Sequence, residues 1–253
     1  MHSLRHRRLA AAALTLALAG LLATACGDDD DVADAIGTTG TNGGEGAGPA
    51  ALNAEACDAY AALAAGMVGD PSTMAEPAAT LAEALPDDLR DAGTSLAEAV
   101  AAGPDALGTP EFTAAWAAVG DAVYDGCQAT GRLDVTGVDF GFEGLPATVP
   151  AGRTAIRFTN GTTSGEMHEL LLMRRNEGTT ESVEELLALG PDQLMEKLTM
   201  AGVAFADSAD ATSVLLADLA PGAYVAVCMI PVGGGETGDP HAAHGMVAEL
   251  EVA

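Results

Sequence analysis

Four side chains in the last third of the chain could act on one atom: His168, Cys228, His241 and Met246 offer two imidazoles, a thiolate and a thioether. Thiolate and thioether sulfur combined with imidazole suits copper. A trigonal His2Cys set with a weak, long methionine contact is the arrangement of mononuclear electron-transfer copper. Each residue also has a plainer use. An unpaired cysteine is often an inert, buried small hydrophobe, a lone loop histidine is usually solvated, and Met246 suits an ordinary core position, as do Met173 and Met229. Whether the four converge depends on the elements that carry them.

Those elements follow a leader. Arg5, Arg7 and Arg8 precede an uncharged Ala/Leu run from Leu9 to Leu22, short for a membrane span. Small residues then lead to a cysteine in Ala23-Thr24-Ala25-Cys26, which resembles the lipobox of bacterial lipoproteins with Ala23 where leucine is usual. The resemblance implies that residues 1–25 are removed as a signal peptide and that Cys26 carries lipid. The mature protein would then be held on the outer face of the cell membrane. An ordinary secretory cut after Ala25 is the alternative, and both readings export the chain.

Charge narrows the partners. The chain has 10 Lys/Arg against 37 Asp/Glu, a formal net charge of −27, and the leader takes away only basic residues. Such an excess disfavours nucleic acid and anionic lipid head groups as ligands. It leaves the oligomeric state open. Residues 26–53, with Asp28 to Asp31 and a Gly/Thr-rich run, have no hydrophobic periodicity and read as a flexible acidic tether.

Residues 54–130 change to alanine-rich helical periodicity. Cys57, Tyr60, Leu63, Ala64 and Met67 recur at helical spacing, as do Phe112, Trp116, Val119, Val123 and Cys127. Thr109 followed by Pro110 and Glu111 marks the start of the last helix. Between these lie Thr73 to Leu85, interrupted at Pro77, and Pro86 to Ala101, so three or four helices make a small bundle. A core this poor in large side chains gains from a covalent staple. Cys57 and Cys127 sit on apolar stripes that should face each other, so a disulfide between them is expected. With Cys26 lipidated and those two paired, Cys228 is the cysteine left over, and in an oxidising compartment it needs burial or a metal.

Residues 131–253 switch to strand-like runs: Leu133 to Phe142, Thr154 to Thr159, Met167 to Met173, Ser213 to Leu219, Ala223 to Ile230 and Met246 to Val252. Glu181 to Met200 breaks the series with the spacing of two short inserted helices. Six or seven strands in this length suggest a β-sandwich, and the fold class expected is α+β, a helical bundle followed by an all-β Greek-key sandwich with a short helical insertion.

Within that segment Leu145-Pro-Ala-Thr-Val-Pro-Ala-Gly, Ile156-Arg-Phe-Thr-Asn160 and a strand opened by His168 resemble the first half of a cupredoxin, the plastocyanin and azurin type. Leu219-Ala-Pro-Gly-Ala-Tyr-Val-Ala-Val-Cys228 resembles the strand that delivers the copper thiolate in the second half. The resemblance implies one type 1 copper held by His168, Cys228 and His241, with Met246 as a long axial contact. Four residues between His241 and Met246 is a spacing seen in the family, whereas His244 stands too close to Met246, so His241 is preferred. Two departures stand out. Twelve residues separate Cys228 from His241, against a much shorter loop in familiar members, and Glu169 follows the first histidine where asparagine is common.

The expected function is a membrane-anchored, extracytoplasmic copper protein, a one-electron carrier with a redox partner protein. A metal-free binding or structural lipoprotein, or a copper buffer that also uses His244, are the alternatives. No Ser/His/Asp set, phosphate-cradling glycine loop or paired carboxylate suggests an enzyme.

Overall fold

The computed structural model describes residues 51–235 and 237–253. The leader, Cys26 and nearly all of the 26–53 tether lie outside the described residues. Among the described residues no helix is long and apolar enough to cross a membrane.

Four α-helices come first: α1 (Ala54–Val68), α2 (Ala75–Ala84), α3 (Arg90–Ala102) and α4 (Pro110–Gly126). Side chains set two of the starts. Asn53 Oδ1 accepts from the amide of Ala56 at 2.8 Å, and Thr109 Oγ1 accepts from the amide of Phe112 at 3.3 Å, with Pro110 at the first helical position. Pro77 does not interrupt α2 as expected. It falls in the first turn, where backbone N–H groups have no acceptor within the helix, so its missing N–H removes no bond. The expected disulfide joins Cys57 to Cys127.

The helices do not close on themselves alone. Tyr60, Leu63, Leu81, Leu96, Val119 and Val123 form a core that also takes in Ala155, Val214 and Leu216 from the β-segment. Tyr60 Oη donates to the carbonyl of Val214 at 2.7 Å, and the Tyr60 ring stacks on Trp116 with centroids 4.6 Å apart. The alanine-rich stripes thereby gain an apolar sheet face to bury against, which so thin a bundle could not supply itself.

The β-segment is a two-sheet sandwich. One sheet has the order β2 (Gly141–Glu143), β1 (Gly131–Val138), β4 (Gly152–Asn160), β7 (Thr212–Leu219). The other has β3 (Thr148–Val149), β9 (Val247–Val252), β8 (Gly222–Val227), β5 (His168–Arg175), β6 (Leu198–Ala206). β1 runs parallel to β4 and β3 parallel to β9, while β4–β7, β5–β6, β5–β8 and β8–β9 are antiparallel. Connections that pass from one sheet to the other give the Greek-key wiring expected.

Two strand readings need correction. The run from Leu133 to Phe142 is not one strand but a tight hairpin, β1 and β2, with Asp139 and Phe140 at its turn and Phe140 at φ 62°. Leu198 to Ala206 forms a strand, β6, paired along β5, although Leu198 and Met200 fit a helical stripe on spacing alone. The inserted helices are α5 (Val183–Leu187) and α6 (Pro191–Lys197).

Side-chain alternation explains why β5 and β8 are apolar on both faces while β9 keeps Glu249 and Glu251 exposed on its outer one. Leu170, Leu172, Tyr224, Ala226, Leu250 and Val252 point into the sandwich. Their odd-numbered neighbours Met173, Val225 and Val227 point outward and are covered by Leu186 of α5 and by Leu198. The outer face is thus covered over β5 and β8, where the strands lose their polar alternation.

Candidate metal centre

The inward rows place the candidate ligands. His168 continues the row of Leu170 and Leu172, Cys228 the row of Tyr224 and Ala226, and Met246 the row of Leu250 and Ala248. All three rows end at the same edge of the sandwich, so strand periodicity alone aims these side chains inward there. His168, Cys228 and Met246 are fully buried.

His241 arrives by a different route. The long segment after Cys228 folds back on itself: the amide of Val232 donates to the carbonyl of Asp239 at 3.1 Å, and the amide of His241 donates to the carbonyl of Ile230 at 2.9 Å. His241–His244 then make one 3-10 turn, which Gly245 ends at φ 108°, in the left-handed region that glycine tolerates. Backbone bonds tie this turn to the strand ends. Ala242 N donates to Cys228 O at 2.8 Å, Met246 N to His241 O at 3.1 Å, and Cys228 N to Met246 O at 3.2 Å. The twelve-residue excursion therefore returns its histidine through a small ladder of its own. His244 points elsewhere: it is exposed and its ring centroid lies 5.2 Å from that of Phe140, so the turn separates the two histidines.

The donor atoms converge. His168 Nδ1 and His241 Nδ1 are 3.1 Å apart, and Cys228 Sγ is 3.4 Å from His241 Nδ1. One ligand atom from each of the three residues lies within 4.8 Å of the others, and His168, Cys228 and His241 form a group that could hold a metal ion. Metal–imidazole bonds of about 2.0–2.1 Å that meet at roughly 100° separate their nitrogens by about 3.1 Å, so this spacing fits one ion. Met246, tied through its backbone to His241 and Cys228, is buried, and a Cβ built on Gly137 would come within 3.1 Å of its methyl carbon.

Burial acts in opposite directions on the donors. It lowers the proton affinity of His168, an effect reinforced by His241 beside it, which keeps the imidazole neutral and its lone pair free. It pushes the Cys228 thiol up to about 11, against the pull of the backbone amides of Glu169 and Ile230. The Glu169 amide lies 3.5 Å from Sγ, and the Glu169 carboxylate accepts from the amide of Met229 at 2.9 Å. Glu169, in the place where asparagine was the common residue, thus clasps β5 to the turn that carries the thiol.

Sequence reasoning missed three neighbours. Asp139 Oδ1 is 3.9 Å from His168 Nε2, and Glu166 Oε2 is 3.4 Å from His241 Nε2. The Phe140 ring stands edge-on to His241 with centroids 5.3 Å apart. A carboxylate in a turn or before a strand has no periodic signature. The one hint was Thr162-Thr163-Ser164, a hydroxyl run able to hold a carboxylate, and all three hydroxyls bond Asp139, at 2.6 to 2.8 Å.

No family model matches the sequence, and no curated protein matches it. Among solved structures the chain is similar to an auracyanin from Roseiflexus castenholzii, at 21% identity over 50% of this chain and 99% of that one, with a TM-score of 0.35. It is also similar to auracyanin A from Chloroflexus aurantiacus, described as a blue copper protein, at 18% identity over 48% of this chain and 98% of that one, TM-score 0.30. Rusticyanin from Thiobacillus ferrooxidans is similar at 16% identity over 50% of this chain and 80% of that one, TM-score 0.33.

Proposed function

We propose that this chain is an exported copper protein that holds one copper at His168, Cys228 and His241, with Met246 as a long axial contact, and carries single electrons between partner proteins. The observation that supports the reading most is the approach of two imidazole Nδ1 atoms and one thiol within a fully buried pocket. Two nitrogens, one sulfur and a thioether suit both copper oxidation states, which is what copper would supply there: electron gain and loss with little rearrangement. His168 would offer a neutral lone pair and His241 its Nδ1, Cys228 would give up its proton to become a thiolate, and the sandwich excludes water around all of them.

The lipobox-like run before Cys26 supports anchoring through an N-terminal lipid at the outer face of the cell membrane. The Cys57–Cys127 disulfide fits the same location, because such bonds persist in oxidising compartments.

The test is a visible spectrum of the purified protein after addition of Cu(II). An intense thiolate charge-transfer band near ~600 nm is expected, lost in Cys228→Ser and kept in Met246→Leu with a shifted potential. A colourless wild type sinks the assignment.

A further inference from the structure

Glu166 reaches from the segment before β5 in two directions. Its Oε2 stands 3.4 Å from His241 Nε2, and its two carboxylate oxygens accept from the amide of Gly233 at 3.1 and 2.9 Å. Gly233 lies in the long excursion between Cys228 and His241 and sits at φ 82°, so no other residue takes its place without strain. The backbone of Glu166 is itself held. Asn160 Nδ2 donates to its carbonyl at 2.9 Å, and its amide donates to Thr162 Oγ1 at 3.2 Å. Asn160 and Thr162 are buried, so the carboxylate starts from a fixed platform.

His241 Nε2 is fully buried and makes no hydrogen bond that meets ordinary geometry among the described residues. A neutral imidazole carries one N–H, and a carboxylate beside one nitrogen decides which nitrogen that is. With the hydrogen on Nε2, toward Glu166, the Nδ1 lone pair is left facing His168 and Cys228. Asp139 stands in the corresponding place beside His168 Nε2 but is less free to act. It is farther away, and three hydroxyls and the amide of Thr163 already occupy its oxygens.

We propose that Glu166 is a positioning residue for the metal centre: it fixes the His241 tautomer that presents Nδ1 and latches the long excursion through Gly233, so that one carboxylate sets both the orientation and the approach of the second imidazole. The tautomer role rests on the copper reading above, while the latch stands without metal. A short loop would enforce the histidine's place by its length, and here a charged side chain does so across the excursion.

Glu166→Ala and Glu166→Gln, made in the full mature chain, separate the two roles. Hydrogen exchange of the metal-free proteins reads the latch. The Ala variant should exchange the backbone around Gly233 at least about tenfold faster, and the Gln variant, whose side-chain carbonyl still accepts, should stay near wild type. Cu(II) affinity by chelator competition reads the tautomer. Both variants should lose about 10- to 100-fold, and if Cu(I) is spared a tenfold loss appears as a rise of about 59 mV in potential. Wild-type exchange in the Ala variant overturns the latch, and wild-type Cu(II) affinity and potential in both variants overturn the tautomer role. If the Ala variant exchanges throughout and so has not folded, the Gln variant decides through affinity and potential. A wild type that takes up no copper overturns the copper reading and the tautomer role together, and exchange around Gly233 still judges the latch.

Discussion

Gly137→Ala tests whether the sandwich core holds Met246 where a metal contact would need it. Gly137 lies in β1 opposite Asn160, and its backbone is extended, so alanine itself is tolerated there. The obstacle is space. A Cβ at this position would stand 2.7 Å from Phe158 Cζ, 3.0 Å from Phe158 Cε2 and 3.1 Å from Met246 Cε. Comfortable carbon–carbon contact is about 3.5–4.0 Å, so all three atoms must retreat by several tenths of an ångström or more. Phe158 and Met246 are both fully buried, which leaves their retreat to be absorbed by neighbours. Overpacking of this kind costs about 1–3 kcal/mol, offset by about 0.4–1 kcal/mol from the stiffer unfolded chain. The expected net loss is about 1–2 kcal/mol, or roughly 2–8 °C in Tm for a chain of this size. Urea unfolding of the metal-free protein measures it as a lower midpoint with an unchanged slope. In the copper-loaded protein the same variant should keep its thiolate band and shift its potential, because Met246 moves and Cys228 does not. A wild-type midpoint would mean that Phe158 and Met246 yield freely, and the idea that the core fixes the thioether would be wrong.

Replacing Cys57 and Cys127 together by alanine opens a closed segment spanning 70 residues, which the chain-entropy model values at about 4.4 kcal/mol. Thermal unfolding should fall by about 8–18 °C, and a fall of under ~2 °C would show that the helical layer does not depend on its staple. Tyr60→Phe removes the bond to the Val214 carbonyl and should cost about 1 kcal/mol in urea unfolding; no loss would mean that the hydroxyl does not help join helix to sheet. The hydrogen bond from Lys197 holds the Glu181 carboxyl at about 2, below its ordinary 4.5. Its folded value being the lower one, its contribution to stability is present above pH 4.5 and fades as pH falls toward 2. Lys197→Met should return the Glu181 titration, followed by NMR, toward the ordinary range, and an ordinary value already in the wild type would contradict the pairing.

How far the sequence disclosed this molecule depended on whether its signals were local. Apolar runs bounded by Gly, Pro, Asn or Asp revealed the strands over Met167 to Met173, Ala223 to Ile230 and Met246 to Val252, and side-chain parity carries His168, Cys228 and Met246 to one edge of the core. The stripes holding Cys57 and Cys127 disclosed the disulfide for the same reason, since a helix repeats every few residues. β6 escaped because its outer residues Leu198 and Met200 follow two short helices and prolong their spacing, while Gly202 blurs any alternation. Gly202 is there for a non-local reason: a Cβ on it would run into the Leu215 side chain of the opposite sheet. Asp139 and Glu166 escaped because a carboxylate's partner lies across the fold. Glu166 meets His241 only after the excursion from Cys228 has folded back on itself, and nothing in its own surroundings announces that.

The environment around the three donors resolves a conflict that burial creates. Removing water makes His168 a better lone-pair donor because the imidazolium is disfavoured, yet the same removal holds Cys228 as a thiol with its value pushed up to about 11. A soft cation therefore meets a ready nitrogen on His168 and a sulfur on Cys228 that must first lose a proton. The Glu169 and Ile230 amides aimed at Sγ favour the thiolate that results, and they come from backbone whose place is fixed by β5 and by the bonds around Cys228. Because the metal-bound form has lost that proton and the metal-free form keeps it below pH 11, affinity should rise with pH, about tenfold per unit. The pocket discriminates by chemistry as much as by shape. A hard cation gains little from a thiolate and a thioether, so it cannot repay the deprotonation of a buried thiol, whereas copper, with its preference for sulfur, can.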